Sequence, residues 1–180
     1  MVKPNIDIMK KYDIYVKSDT IFSANARLLQ NKWRIRHNYK MGKYPPMKKD
    51  YGNVLDSNLA KETKCNFLTE KIKILVEQEI EKSKISGALM DPIRMYCNLL
   101  SSQPLCFNIF GELKYNLIAA TSLFKKLFPN IVDEIINIDF EYSPGRKNDK
   151  YLNDGTAFDV FIEYLKDNKK CFFWNRGKIR

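Results

Sequence analysis

One aspartate, Asp159, lies inside the run TAFDVFIEY (residues 156–164), with Phe158 and Val160 on either side. A carboxylate is costly to strip of water unless a cation or a hydrogen-bond donor meets it. Its place in so apolar a stretch therefore marks Asp159 as a group with a task. The alternative is an aspartate on the solvent face of an edge strand. Glu163 shares the strand face of Asp159 and Phe161 by alternation, and reads as a solvated hairpin charge. Glu141 closes the preceding apolar run, VDEIINIDFEY (residues 132–142). Arg146, Lys147 and Lys150 fall between the two runs, where cations can meet phosphates or simply stay solvated. Gln103 and Asn108, in SSQPLCFNIFG (residues 101–111), can touch a substrate or bond backbone. Zinc chemistry has little support: Cys65, Cys97, Cys106 and Cys171 are scattered without a CxxC pair, and His37 is the only histidine.

The chain has 180 residues, enough for one domain with a real core. Its 44% apolar and 13% aromatic content fits a folded protein and excludes a disordered one. A net charge of +10 puts nucleic acid first among partners, although Arg176, Lys178 and Arg180 near the end supply part of it. The N-terminal stretch is broken by charges and lacks the apolar core of a signal peptide. The longest uncharged stretch, 95–111, carries too many polar residues to span a membrane. A cytoplasmic protein with reduced thiols is expected.

The elements that must position these residues follow from pattern. Residues 1–22 read as a loosely docked arm. Ser23 is a candidate cap for a helix over 24–36, with Leu29, Trp33 and Ala26 inward. Residues 38–58 read as a long basic loop. A helix over 60–83 carries Leu68, Ile72, Leu75, Val76 and Ile80 on one stripe. Asp91-Pro92 starts another helix, running to Leu100. The 101–104 stretch breaks it, a short helix or turn covers 105–113, and a further helix spans 116–128. Residues 132–142 and 156–164 read as strands. KDNKK (166–170) reads as a hairpin turn, and Cys171-Phe172-Phe173 opens a third strand that loses its pattern after three residues. Helices first and a closing antiparallel sheet make an α/β chain of α+β layout.

Several stretches together resemble the PD-(D/E)XK nuclease-like superfamily, in its restriction-type endonuclease group. They are ARLLQ with Trp33-Arg34, AKET with NFLT, SSQPLCFNIFG, and EYSP followed by TAFDVFIEY, over residues 22–173. The resemblance implies the restriction-endonuclease-like fold, with N-terminal helices followed by a mixed sheet that is incomplete here. The domain would cover 23–173. It also implies Mg²⁺-dependent hydrolysis of DNA phosphodiester bonds, and by analogy a homodimer acting on symmetric sites. In that superfamily a strand aspartate and the Glu and Lys of an ExK triplet on the next strand hold the ion and serve the attacking water. Asp159 matches the aspartate, as catalytic and metal residue. Glu141 could add a metal ligand. Arg146, Lys147, Lys150, Gln103 and Asn108 are candidates for nucleic-acid contact.

The family's next strand reads Phe-Gly-Ile-Glu-Val-Lys-Tyr after its opening. Here Phe172-Phe173 is followed by Trp174-Asn175-Arg176-Gly177-Lys178. If both phenylalanine codons are TTT, removing one T before the tryptophan codon forces glycine next. Ile, Glu, Val, Lys and Tyr are then each allowed in turn. Residues 174–180 are therefore expected to be read out of frame, and the chain to be inactive or strongly impaired. The alternative is a basic, non-catalytic nucleic-acid-binding module.

Overall fold

The computed structural model describes residues 2–44, 49–86, 90–145, 150 and 157–175. The helices are α1 (Ile6–Lys11), α2 (Ile21–Arg36), α3 (Ser57–Thr63), α4 (Glu70–Ser86), α5 (Pro92–Cys97), α6 (Ser102–Tyr115) and α7 (Leu117–Leu127). The strands are β1 (Met41–Tyr44), β2 (Lys49–Leu55), β3 (Glu134–Tyr142), β4 (Phe158–Lys166) and β5 (Lys169–Asn175). Both sheets are antiparallel, with orders β1-β2 and β3-β4-β5. The chain forms two compact units. One gathers Met1–Asn66 with Asp91–Pro104, the other Phe67–Met90 with Leu105–Gly177. No helix among the described residues is long and apolar enough to cross a membrane.

In the first unit the N-terminal arm is packed, not loose: Met9, Ile14 and Ala24 form a buried cluster flanked by Tyr12, Tyr15 and Leu28. Thr20, not Ser23, caps α2; its side chain accepts the Ser23 N–H. Leu29 is exposed, while Ser23, Ala24 and Asn31 face inward. The expected basic loop at 38–58 contains the β1–β2 hairpin, whose buried run from Tyr51 to Leu55 was hidden by Gly52 and Asn53. Gly52 is required there, since a side chain would strike the Tyr12 carbonyl, Ile14 and Asn31. Arg34 clamps this corner, donating to the carbonyls of Gly52 and Tyr39 and to Asn31 Oδ1. Asp91 caps α5 as expected, with Pro92 in its first turn. That helix stops at Cys97, because Asn98 bridges to Val54 of β2.

The second unit places α4, α6 and α7 with the three-stranded sheet. The single helix expected over 60–83 is two helices, interrupted where Lys64 takes a left-handed φ of 50°. Ile72, Leu75, Val76 and Ile80 are buried as the stripe requires, but Leu68 lies in the break and is exposed. Pro104 does not break the chain; it lies in the first turn of α6, where a missing N–H costs nothing. Phe107 of α6 stacks on Phe140 of β3 with ring centroids 4.1 Å apart. Phe173 of β5 stacks on Tyr164 at 4.5 Å and meets Phe128 at 5.1 Å.

The β4–β5 turn is tight. Asp167 and Asn168 have φ of 49° and 58°, the pair of positive values a two-residue primed turn needs. β5 pairs with β4 as far as Val160 with Asn175, two residues beyond the expected loss of pattern. Asp133 braces the turn by accepting the Asp167 N–H at 2.7 Å and Lys166 Nζ at 3.3 Å. Chiefly the backbone bond, then Lys166, holds the Asp133 carboxyl below its ordinary value. Its contribution to stability is therefore present above the unfolded value of 3.8 and lost as pH falls through the lower folded one. Asp133→Asn keeps an acceptor and removes the charge. Its urea midpoint should fall below that of the parent near neutral pH, and the two should converge in acid. An equal deficit at both pH values rejects the assignment.

Candidate active site

Glu141 and Asp159 end up across from one another near one end of the sheet. The pairs Phe140–Val160 and Tyr142–Phe158 bracket them. Glu141 takes a left-handed φ of 49°, which an L-residue adopts at a cost of about 1–2 kcal/mol. Strict alternation would put Phe140 and Tyr142 on one face. Instead Phe140 stacks on Phe107, while Tyr142 stacks at 4.2 Å on Phe161, whose partner is Phe172. The chain therefore swivels at Glu141. Both carboxylates are half-buried.

The two acids are felt at one point. Burial pushes the Cys106 thiol of α6 up to about 12, and the negative charges of Asp159 and Glu141 add to the rise. Cys106 stays protonated at physiological pH and is no nucleophile. Nothing in the sequence marked this thiol's placement, because a cysteine within an apolar helix reads as core filler.

The sheet carries a second polar group that sequence reading missed. Asn137 donates to Asp139 Oδ2 at 2.7 Å and to Glu163 Oε2 at 3.0 Å, and Lys114 of α6 reaches Asp139 Oδ1 at 3.1 Å and the Ile138 carbonyl. Glu163 is thus tied to Asn137 across the β3–β4 pair and is not a free hairpin charge. The spacing of Asn137 and Asp139 in INIDFEY was the available signal.

The other candidates separate. Gln103 is buried in the first turn of α6. Asn108 uses Oδ1 to accept the Leu68 N–H at 3.0 Å, which pins the segment entering α4. Lys150 is exposed, and Arg146 and Lys147 lie outside the described residues. Cys65, Cys97, Cys106 and Cys171 are all free thiols. A cavity of about 570 Å³ in the first unit is lined by Met41, Lys43, Asp50, Asp56, Ile93 and Cys97 among others, and neither Asp159 nor Glu141 borders it.

A divalent cation wants several oxygen ligands converging on one point. Asp159 and Glu141 supply a pair, but no group of three His, Cys, Asp or Glu side chains able to hold a metal occurs among the described residues. The described residues therefore do not complete a metal cage.

A sequence model of the PD-(D/E)XK nuclease superfamily matches residues 17–174. The chain matches no curated protein and no solved structure. The match takes in β3, β4 and nearly all of β5, together with both acids of the pair, and so covers most of the chain. By that match, and with helices preceding a three-stranded antiparallel sheet, this chain belongs to the PD-(D/E)XK nuclease superfamily.

Proposed function

We propose that the chain is a DNA endonuclease of this superfamily, Mg²⁺-dependent in its intact form, whose catalytic centre is left unfinished by the residues following Phe173. The observation that carries the reading is the β4–β5 register. Val160 pairs with Asn175, the last described residue of β5; in a chain whose strand ran one step further, as the family's does, position 176 would face Asp159. That is where a family glutamate would meet the aspartate, and the sequence supplies Arg176 there. A guanidinium cannot ligate a cation, and one held beside Asp159 would repel it. The family match, ending at residue 174, supports a change of reading frame at this point.

Asp159 and Glu141 would be the ligands that remain, with Asp159 the catalytic one. Arg146, Lys147 and Lys150 would engage phosphates.

Incubated with Mg²⁺ and supercoiled plasmid, the chain should bind DNA and leave it un-nicked above background. Nicking at a rate that Asp159→Ala abolishes would overturn the claim of an unfinished centre. The net charge of +10 favours a second reading, a non-catalytic nucleic-acid-binding module. Binding must weaken steeply with salt in either case, since phosphate contacts release counterions.

A further inference from the structure

The three-stranded sheet carries a ladder of aromatic rings on the face away from the Phe107–Phe140 stack. Tyr142 of β3 lies against Phe161 of β4 at 4.2 Å, and Phe161 against Phe172 of β5 at 5.3 Å, with interplanar angles of 18° and 29°. Beside it Phe158 meets Trp174 at 4.8 Å. The inner ring, Phe161, is covered, but the outer two stand in water: Phe172 is 59% and Trp174 57% exposed. Among the described residues β5 is the edge strand of this sheet.

Positive charge lies on the same strand as these rings. Lys169 and Lys170 are exposed on the same strand. Among the described residues 166–175, three lysines stand against the single carboxylate of Asp167. Asp139 and Glu163, two acids on the ladder's face, are already held by Asn137 and Lys114. A second copy of the chain would bring its own +10 to the same edge.

We propose that this face, with Phe172 and Trp174 as its outer rings, is a stacking platform for single-stranded nucleic acid. Unpaired bases add to the ladder as further rings, and the lysines follow the phosphates. A duplex hides its base faces in its own stack, so it gains from the lysines alone. Neither a metal nor cleavage enters, so the platform goes beyond the nuclease reading.

The test uses the full chain in EDTA, carrying Trp33→Phe so that Trp174 is the only tryptophan. Titration with a short oligothymidine should quench its fluorescence to saturation. Phe172→Leu and Trp174→Leu keep an apolar edge strand and remove a ring. Each should weaken oligothymidine binding, followed by anisotropy of a labelled oligonucleotide, on the order of tenfold, with circular dichroism unchanged. Inorganic polyphosphate and a duplex should leave the fluorescence nearly unaltered. Equal quenching by either one, or Leu variants that bind as well as the parent, would overturn the platform. Quenching that rises with protein concentration alone would assign the face to a second copy and overturn it too.

Discussion

Rewriting positions 174–179 as Gly-Ile-Glu-Val-Lys-Tyr is expected to switch on Mg²⁺-dependent nicking of plasmid DNA, and Asp159→Ala in that background to remove it. β5 already holds register with β4 through Asn175 opposite Val160. A glutamate at position 176 would then extend the ladder opposite Asp159, with Glu141 beside it on β3. Two residues on, a lysine returns to the same strand face. Losing a single preorganised charged group at such a centre costs on the order of a hundredfold to a thousandfold in rate. On the proposed reading the sequence has Arg176 where that group would stand. A smaller change separates charge from strand pattern. Arg176→Glu alone turns Arg176-Gly177-Lys178 into a Glu-x-Lys triplet. It should recover binding of Mg²⁺, read by isothermal titration, and only part of the cleavage, because Gly177 weakens a strand. A rewritten chain that folds, binds DNA and cuts nothing would end the nuclease reading.

How much of this was legible in the sequence depends on which signal each residue carries. Asp159 announced itself through its neighbours, since a lone charge among Phe158, Val160 and Phe161 is visible without coordinates. The α7 boundaries were equally plain, with Asn116 as cap and Pro129 beyond. The β1–β2 hairpin was not. Its buried run contains Gly52 and Asn53, whose reasons for being there are the close approach of Tyr12 and Ile14 and the bond from Arg27. Those are partners far away in sequence. The swivel at Glu141 was hidden too, because a left-handed glutamate has no sequence signature. Pro104 misled in the opposite direction: a proline reads as a breaker unless the helix start is known. Local pattern revealed elements wherever one face decided their structure. It failed where tertiary contacts chose the conformation.

Phe107→Ala is the substitution expected to cost most in stability. The ring is 1% exposed and lies nearly parallel to Phe140 at 4.1 Å and 15°. Emptying such a site removes the transfer energy and leaves a cavity, about 3–5 kcal/mol in all. Against a total stability of about 5–15 kcal/mol, that is enough to unfold much of the second unit. Phe107→Leu refills most of the space and should cost less than about 1.5 kcal/mol. Ile109→Ala, on the half-exposed side of α6, should change stability by about 0.5 kcal/mol or less. Trp174 fluorescence in a Trp33→Phe background reports the second unit alone, so urea midpoints read from it are not confused by unfolding elsewhere. The same ring backs the strand carrying Glu141. In the rewritten, active chain, Phe107→Leu should therefore lower cleavage more than it lowers stability, because a small shift of β3 displaces a carboxylate that must be held in place. If Phe107→Ala melts within about 1 kcal/mol of the parent, α6 does not support β3 in the way the Phe107–Phe140 stack requires.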